Sequence, residues 1–321
     1  MKFSKIPDNY APLSGGLVYE VDLTGASGPV EAAVVDTAAG RRLALLRFAQ
    51  AKSISIDAAP FVARLFDPRP AAGNTGLRTD SGYAAAVVVE VGGLRSEERR
   101  FVPYTCDGLP RIFTTLPRER TLAAGEFDEL AYYAPGGGRF TVEAEAADGT
   151  VSKRTLPLPN NGAFGIFRIA ADDYAGAVLL RVTFTSGGRS EEVLYRRTVR
   201  PEGAVRLAWT ASSGGVEFYT FPECRKRSLK VEKSRFYGPE GHTVTGETCE
   251  AESLLLSDYE PRAVMEALDE ILAARRVWMV SGGGLLTELD AVSSQTEIHC
   301  NGAPDRLTLG VRTRKREEGL Q

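Results

Sequence analysis

The sequence predicts a mainly β protein: two tandem β-sandwiches of immunoglobulin-like type, then an α+β unit with one principal helix. Three observations predict it. Short apolar-alternating runs recur at roughly ten-residue spacing through the first two thirds of the chain. The tetrapeptide Arg-Ser-Glu-Glu occurs twice, at Arg95–Glu98 and Arg189–Glu192, each time after a strand-like run and a Gly-Gly turn. One stretch of helical periodicity stands among strand signals in the last third. At 321 residues the chain is long enough for two or three cores, and the expected boundaries give units at 1–105, 106–201 and 202–321.

In the first unit, Leu17–Leu23, Val30–Val35, Arg42–Phe48 and Ser53–Asp57 read as strands, the last alternating strictly. The segment from Phe66 to Ser81 turns to Pro, Gly, Asn and Asp and reads as a long exposed loop, an insertion peculiar to this unit. Tyr83–Val91, the Gly92-Gly93 turn and Arg99–Tyr104 complete it. In the second unit Glu129–Ala134, Arg139–Glu145, Val151–Leu156 and Gly165–Ile169 are strands, and Ala177–Phe184, Gly187-Gly188 and Val193–Val199 repeat the closing hairpin. Arg168–Tyr174 precedes that hairpin much as Ser55–Phe61 precedes the first, so the two units read as a duplication. The polar residues of both tetrapeptides are then expected on solvent-facing strand edges, with Arg95 and Arg189 pairing locally at little gain.

The last unit opens with the clearest hairpin, Val205–Thr210, a Ser212–Gly215 turn and Val216–Phe221. Ser257 and Asp258 offer a helix cap, with Glu260 and Pro261 in the first turn. Val264, Met265, Leu268, Ile271 and Leu272 form one apolar face, and Arg275 and Arg276 close the helix. Val277–Val280, a Gly282–Gly284 turn, Thr287–Val292, Thr296–Cys300 and Arg306–Arg312 supply further strands.

The composition is that of an ordinary folded protein, and a net charge of −3 argues against wholesale nucleic-acid binding. The first ten residues carry cations but no apolar leader, and no later run reaches the length of a membrane span. Cytoplasmic synthesis is therefore expected, with Cys106, Cys224, Cys249 and Cys300 reduced and buried. No catalytic, cofactor or metal site is expected. His242, His299, Cys249 and Cys300 lack the spacing by which one turn presents two zinc ligands. No Gly-x-Ser-x-Gly elbow occurs, Cys224 has no recognisable base, and the triple glycines at Gly136 and Gly282 lack a phosphate-loop ending and read as hairpin turns. Asp172 and Asp173, or Glu126, Asp128 and Glu129, would serve a hydrolase only if they converged, and on loops such groups are usually solvated or capping.

One stretch points to an interaction surface. Arg225–Arg235 carries six cations against one carboxylate. Alternation puts Lys226 and Lys230 on one strand face and Arg225, Arg227, Lys233 and Arg235 on the other, with Tyr237 adjoining. Such a strand either meets an acidic surface or is a solvated edge kept from aggregation by its charges.

The last third resembles the carboxy-terminal region of tail-associated virion structural proteins of phages and prophages of Bacteroidetes-type bacteria. The resemblance is carried by the Leu207-Ala-Trp209 strand, the Gly214-Gly215 turn into Phe218–Phe221, the basic hairpin, the single helix before Val277–Val280 and a final strand pair. The family's turn is more often Asn- or Leu-Gly-Gly, where Ser212-Ser213 precede the glycines here. The resemblance implies a non-enzymatic, virion-associated tail or baseplate component that associates with itself and with other tail proteins, and it transfers no binding residue. The rival reading is a carbohydrate- or protein-binding module using Tyr132, Tyr133 and Tyr174 as a stacking surface.

Overall fold

The computed structural model describes every residue except 79–83, 104–108, 160–163, 240, 294–302 and 314–321. The expected Thr296–Cys300 strand, His299, Cys106, Cys300 and the 314–321 tail therefore lie outside the described residues. The protein is mainly β, and among the described residues its longest helix is the one foreseen in the last third.

The first region contains β1 (Lys2–Lys5), β2 (Ala11–Pro12), β3 (Val18–Asp22), β4 (Val30–Asp36), β5 (Arg41–Phe48) and β6 (Ser53–Asp57). A one-turn helix, α1 (Ala59–Val62), leads to β7 (Gly76–Arg78), β8 (Ala85–Val91), β9 (Leu94–Arg95) and β10 (Arg99–Val102). The sheet β1-β3-β6 faces the sheet β2-β10-β8-β4-β5, on which β9 pairs with β8. Tyr19, Val21, Ile54 and Ile56 from one meet Val34, Val87, Val89 and Phe101 from the other. Period-two alternation produces this core: β6 buries Ile54 and Ile56 and exposes its remaining residues.

The middle region contains β11 (Arg111–Phe113), β12 (Glu119–Ala123), β13 (Phe127–Tyr133), β14 (Gly138–Ala146), β15 (Val151–Leu158), β16 (Phe164–Ala170), β17 (Ala177–Ser186) and β18 (Arg189–Thr198). Its sheets run β11-β13-β16-β7 and β12-β18-β17-β14-β15. Strand for strand this is the order of the first sandwich. Even the odd pairing is repeated, because β2 lies parallel to β10 and β12 lies parallel to β18. One-turn helices, α1 and the 3-10 turn Ala171–Tyr174, occupy equivalent places. Both Gly-Gly turns have positive φ at both glycines, 54° and 86° at Gly92-Gly93 and 54° and 78° at Gly187-Gly188, as type I′ hairpin turns require.

The tetrapeptides diverge after those turns. In β18 the ladder runs on through Ser190, Glu191 and Glu192. In the first copy Ser96 is buried instead of exposed, its hydroxyl accepting from the Val89 N–H at 2.9 Å, and the strand breaks before β10. Arg95 does pair locally, with Glu90 at 3.6 Å.

Three other expectations need correction. The described part of the Phe66–Ser81 segment, 66–78, is no exposed loop: Phe66, Pro68, Pro70 and Thr75 are buried, and β7 joins β16 at the edge of the middle sheet. Its prolines and glycines hide the strand because only three residues pair. The turn at Gly136–Gly138 connects β13 to β14 across two facing sheets and is not a hairpin. The helix begins at Arg262, with Pro261 at the cap position. Ser257 and Asp258 bond locally instead, Ser257 also taking the Leu307 N–H.

The last region builds β19 (Val205–Thr210), β20 (Val216–Phe221), β21 (Glu223–Gly238), β22 (Gly241–Leu256), α2 (Arg262–Ala273), β23 (Val277–Val280), β24 (Leu286–Ala291) and β25 (Thr308–Thr313). Its seven strands run β20-β19-β23-β24-β25-β22-β21. Met265, Leu268 and Ile271 of α2 cover one face, against Leu207, Trp209, Val277 and Leu309. The other face, through Ala208, Val216, Phe218 and Trp278, packs on Phe127, Ala131, Tyr133 and Ile166 of the middle sheet. That middle sheet is thus covered on both sides, which is why every residue of β13 is buried.

Candidate functional site

All six residues singled out from the sequence, Arg225, Arg227, Lys230, Lys233, Arg235 and Tyr237, lie on β21 and are exposed. β21 and β22 form a hairpin arm. Among the described residues β25 supports β22 only at Glu252–Leu256, so from Leu229 outward the described ribbon leaves the sheet. Leu229 to Gly238 then extends about 30 Å at the usual strand rise.

Opposed residues of an antiparallel pair share a face, so the register sorts the arm. One face carries Arg227 opposite Ser253, Leu229 opposite Ala251 and Val231 opposite Cys249. The other carries Ser228 opposite Glu252 and Lys230 opposite Glu250. Lys233 shares strand parity with Arg227, as alternation predicted, and Lys230 is on the opposite face, while Arg235 lies past a register shift between Ser234 and Arg235. Arg225 departs from that scheme, because the register shifts between Cys224 and Lys226. A bulge of this kind bends its strand and increases the local twist.

The arm is amphipathic and open. Leu229 is 65% exposed, Phe236 63% and Tyr237 74%. Lys230 Nζ meets Glu232 at 2.7 Å, and this contact raises the lysine pKa, with Glu250 adding to it. At the tip the Tyr237 and His242 rings meet edge to face. The cysteine expectation fails here: Cys249 is exposed on the arm and Cys224 is half-buried at its base.

The carboxylates weighed for hydrolysis are buried instead of solvated. Glu126, Asp128 and Glu129 are all less than 5% exposed, and each is tied to arginine. Asp128 on β13 accepts from Arg120 Nη1 and from the Tyr195 hydroxyl, both at 2.9 Å. Arg120 belongs to β12 and also lies 3.3 Å from Glu217 on β20, so one guanidinium meets three sheets. Burial works against its charge, but Glu217 and Asp128 outweigh that and hold it firmly protonated. Arg206 of β19 donates to Glu126, Thr220 and the Phe127 carbonyl. Glu129 takes a two-point contact from Arg168, with Arg78 of β7 beside it. Burial raises the carboxyls of Glu217 and Glu129 despite these arginines.

Of these groups Arg120, Asp128 and Arg206 line a cavity of about 180 Å³, together with Tyr219 and Glu260. Glu126, Asp128 and Glu129 point to different arginines, Arg206, Arg120 and Arg168, while Asp128 and Glu217 share Arg120 Nη1. Asp172 and Asp173 are elsewhere, accepting from the backbone N–H groups of Gly125 and Thr75. Tyr132 and Tyr133 are buried in the core and offer no stacking surface for a sugar. The sequence did not disclose this network, because an Glu-Phe-Asp-Glu run looks like a solvated loop until both faces of its strand are seen to be covered.

No family model matches the chain, and no curated protein matches it. Among solved structures it is similar to extracellular domains 3–5 of Drosophila OTK, at 10% identity over 75% of this chain and 85% of that one, with a TM-score of 0.23. It is also similar to a tetra-tandem repeat from the extending region of a large adhesion protein, at 10% identity over 79% and 68%, with a TM-score of 0.21. At such scores the likeness carries no functional argument.

Proposed function

We propose that this chain is a non-enzymatic structural subunit of a phage-tail-like particle, and that the β21–β22 arm is its assembly contact. The observation that carries the reading is the arm itself. A two-stranded ribbon is marginal in water, yet this one holds Leu229, Val231, Phe236, Tyr237 and Val244 at its surface, with no layer over them among the described residues. Such a ribbon gains its stability by docking. The particle type rests on the resemblance of the last third, from the Leu207-Ala-Trp209 strand to the final strand pair.

The body suits the role, because its layers are locked by buried charge and apolar packing, which favours rigid transmission over substrate turnover. The test is to replace residues 227–253 by a two-residue turn and compare the two proteins by native mass spectrometry. The full chain should form oligomers, and the shortened chain should be monomeric with an unchanged melting temperature. A full chain that stays monomeric at every concentration would sink the assembly role.

A further inference from the structure

The two strands of the arm carry opposite charge, and this bears on how copies would meet. Along Glu223–Gly238, β21 has six Lys or Arg and only Glu223 and Glu232 as acids. Along Gly241–Leu256, β22 has glutamates, Glu250 and Glu252 among them, and no Lys or Arg. The hairpin already uses this contrast internally, with Lys230 directly opposite Glu250. Among the described residues both outer edges are open: β21 ends its sheet, and β22 has no second neighbour beyond Glu252.

Three strand additions are available to two copies. Joining β21 to β21 sets cations against cations, and joining β22 to β22 sets acids against acids; like charges opposite each other destabilise a sheet. Joining β21 of one copy to β22 of the next repeats the complementarity already present within each hairpin. Resting on the assembly role proposed above, we infer that the arm's occupant is a second copy of this chain, added head to tail, β21 onto β22. That contact is heterologous, so it propagates into a closed ring or a filament and does not stop at a twofold dimer. All arms then point the same way, and their strands alternate in direction as one continuous antiparallel sheet. The apolar stripe of Leu229, Val231 and Ala251 continues around one side of that sheet.

A charge-swapped chain tests this while preserving the opposed charge pairs inside each hairpin: Lys230→Glu with Glu250→Lys, Lys233→Glu with Glu247→Lys, Glu232→Lys to keep its contact with position 230, and Arg235→Glu. Native mass spectrometry at low salt would compare wild type, swapped chain and an equimolar mixture, with one chain mass-tagged. Head-to-tail addition predicts that each chain alone forms oligomers of more than two copies, of equal size. It also predicts that the mixture sorts into separate oligomers, with mixed species at least about tenfold below random mixing.

Twofold pairing predicts the reverse, preferential mixed dimers, and that result would overturn the inference while leaving the assembly role standing. Random mixing would overturn it too, by showing that charge does not choose the edge. A wild type that is monomeric until residues 314–321 are removed would assign the β22 edge to the chain's own tail and likewise overturn it. Monomers under all conditions would remove the assembly role itself.

Discussion

Replacing Asp128 by alanine measures what the charges between the sheets contribute. Asp128 Oδ2 accepts from Arg120 Nη1 and the Tyr195 hydroxyl, each at 2.9 Å, and all three residues are buried. The substitution leaves Arg120 with Glu217 3.3 Å away, the Pro117 carbonyl and the Thr114 hydroxyl. Tyr195 keeps no acceptor from this carboxylate. Removing one partner of a buried ion pair costs about 3–5 kcal/mol, and an orphaned buried hydroxyl costs about 1–3 kcal/mol. Because one carboxylate serves both and Glu217 remains, the two do not add fully, and we expect a loss of about 4 kcal/mol. Tyr195→Phe, which removes only the hydroxyl, should lose about 1 kcal/mol. The double variant Arg120→Met, Asp128→Leu should be more stable than Asp128→Ala, since it leaves no uncompensated charge. Urea unfolding followed by near-ultraviolet circular dichroism reads all three. An Asp128→Ala protein within about 1 kcal/mol of wild type would refute the idea that this arginine depends on its neighbours.

Two further predictions concern other joints. Burial raises the Glu260 carboxyl above its ordinary range, the Tyr219 hydroxyl opposing and Asp258 adding to the rise. A group whose folded pKa exceeds its unfolded value stabilises below the unfolded pKa, and that contribution is lost as pH rises through the folded pKa. Glu260→Gln should therefore gain on wild type in melting temperature as pH rises from about 4 to about 7, and parallel curves would contradict it. Gly284 has φ +76°, and a Cβ there would sit 1.8 Å from Ala72 Cβ. Gly283 has a similar φ, +73°, with nothing within 4 Å. Gly283→Ala should cost about 1 kcal/mol of backbone strain. Gly284→Ala should cost more and open the segment around Ala72 to protease, whereas equal losses would show that the contact is unimportant.

The repeat Arg-Ser-Glu-Glu made the duplication legible, but its depth lay in topology that no residue identity records. The parallel β2–β10 and β12–β18 pairs involve strands such as Ala11–Pro12, too short to announce themselves by alternation. β7 was hidden by the prolines and glycines around it. The basic half of the arm stood out by charge, while its partner Gly241–Leu256 did not, because Gly, Thr and Glu interrupt its apolar pattern until Leu254. The ion network was illegible for a different reason. Burial of Glu126, Asp128 and Glu129 follows from the last region covering the middle sheet, a long-range contact with no local signature.

That same contact bears on the arm. Arg120, itself on one sheet, touches partners in two others, and Arg206 ties β19 to the start of β13, so the middle and last regions share charges as well as an apolar core. Each of those charges would be left unpaired if the layers slid, which gives the packing one favoured register. Arg275 adds a clasp from the end of α2 to the Ala63 and Phe66 carbonyls of the first region. The base of the arm is β21 and β22 inside the same seven-stranded sheet, so its direction is set by the body. A contact element held in one direction loses little rotational freedom when it docks, and that lowers the entropic cost of association. The buried charges, which looked like candidates for catalysis, thus act on the assembly reading by aiming the arm.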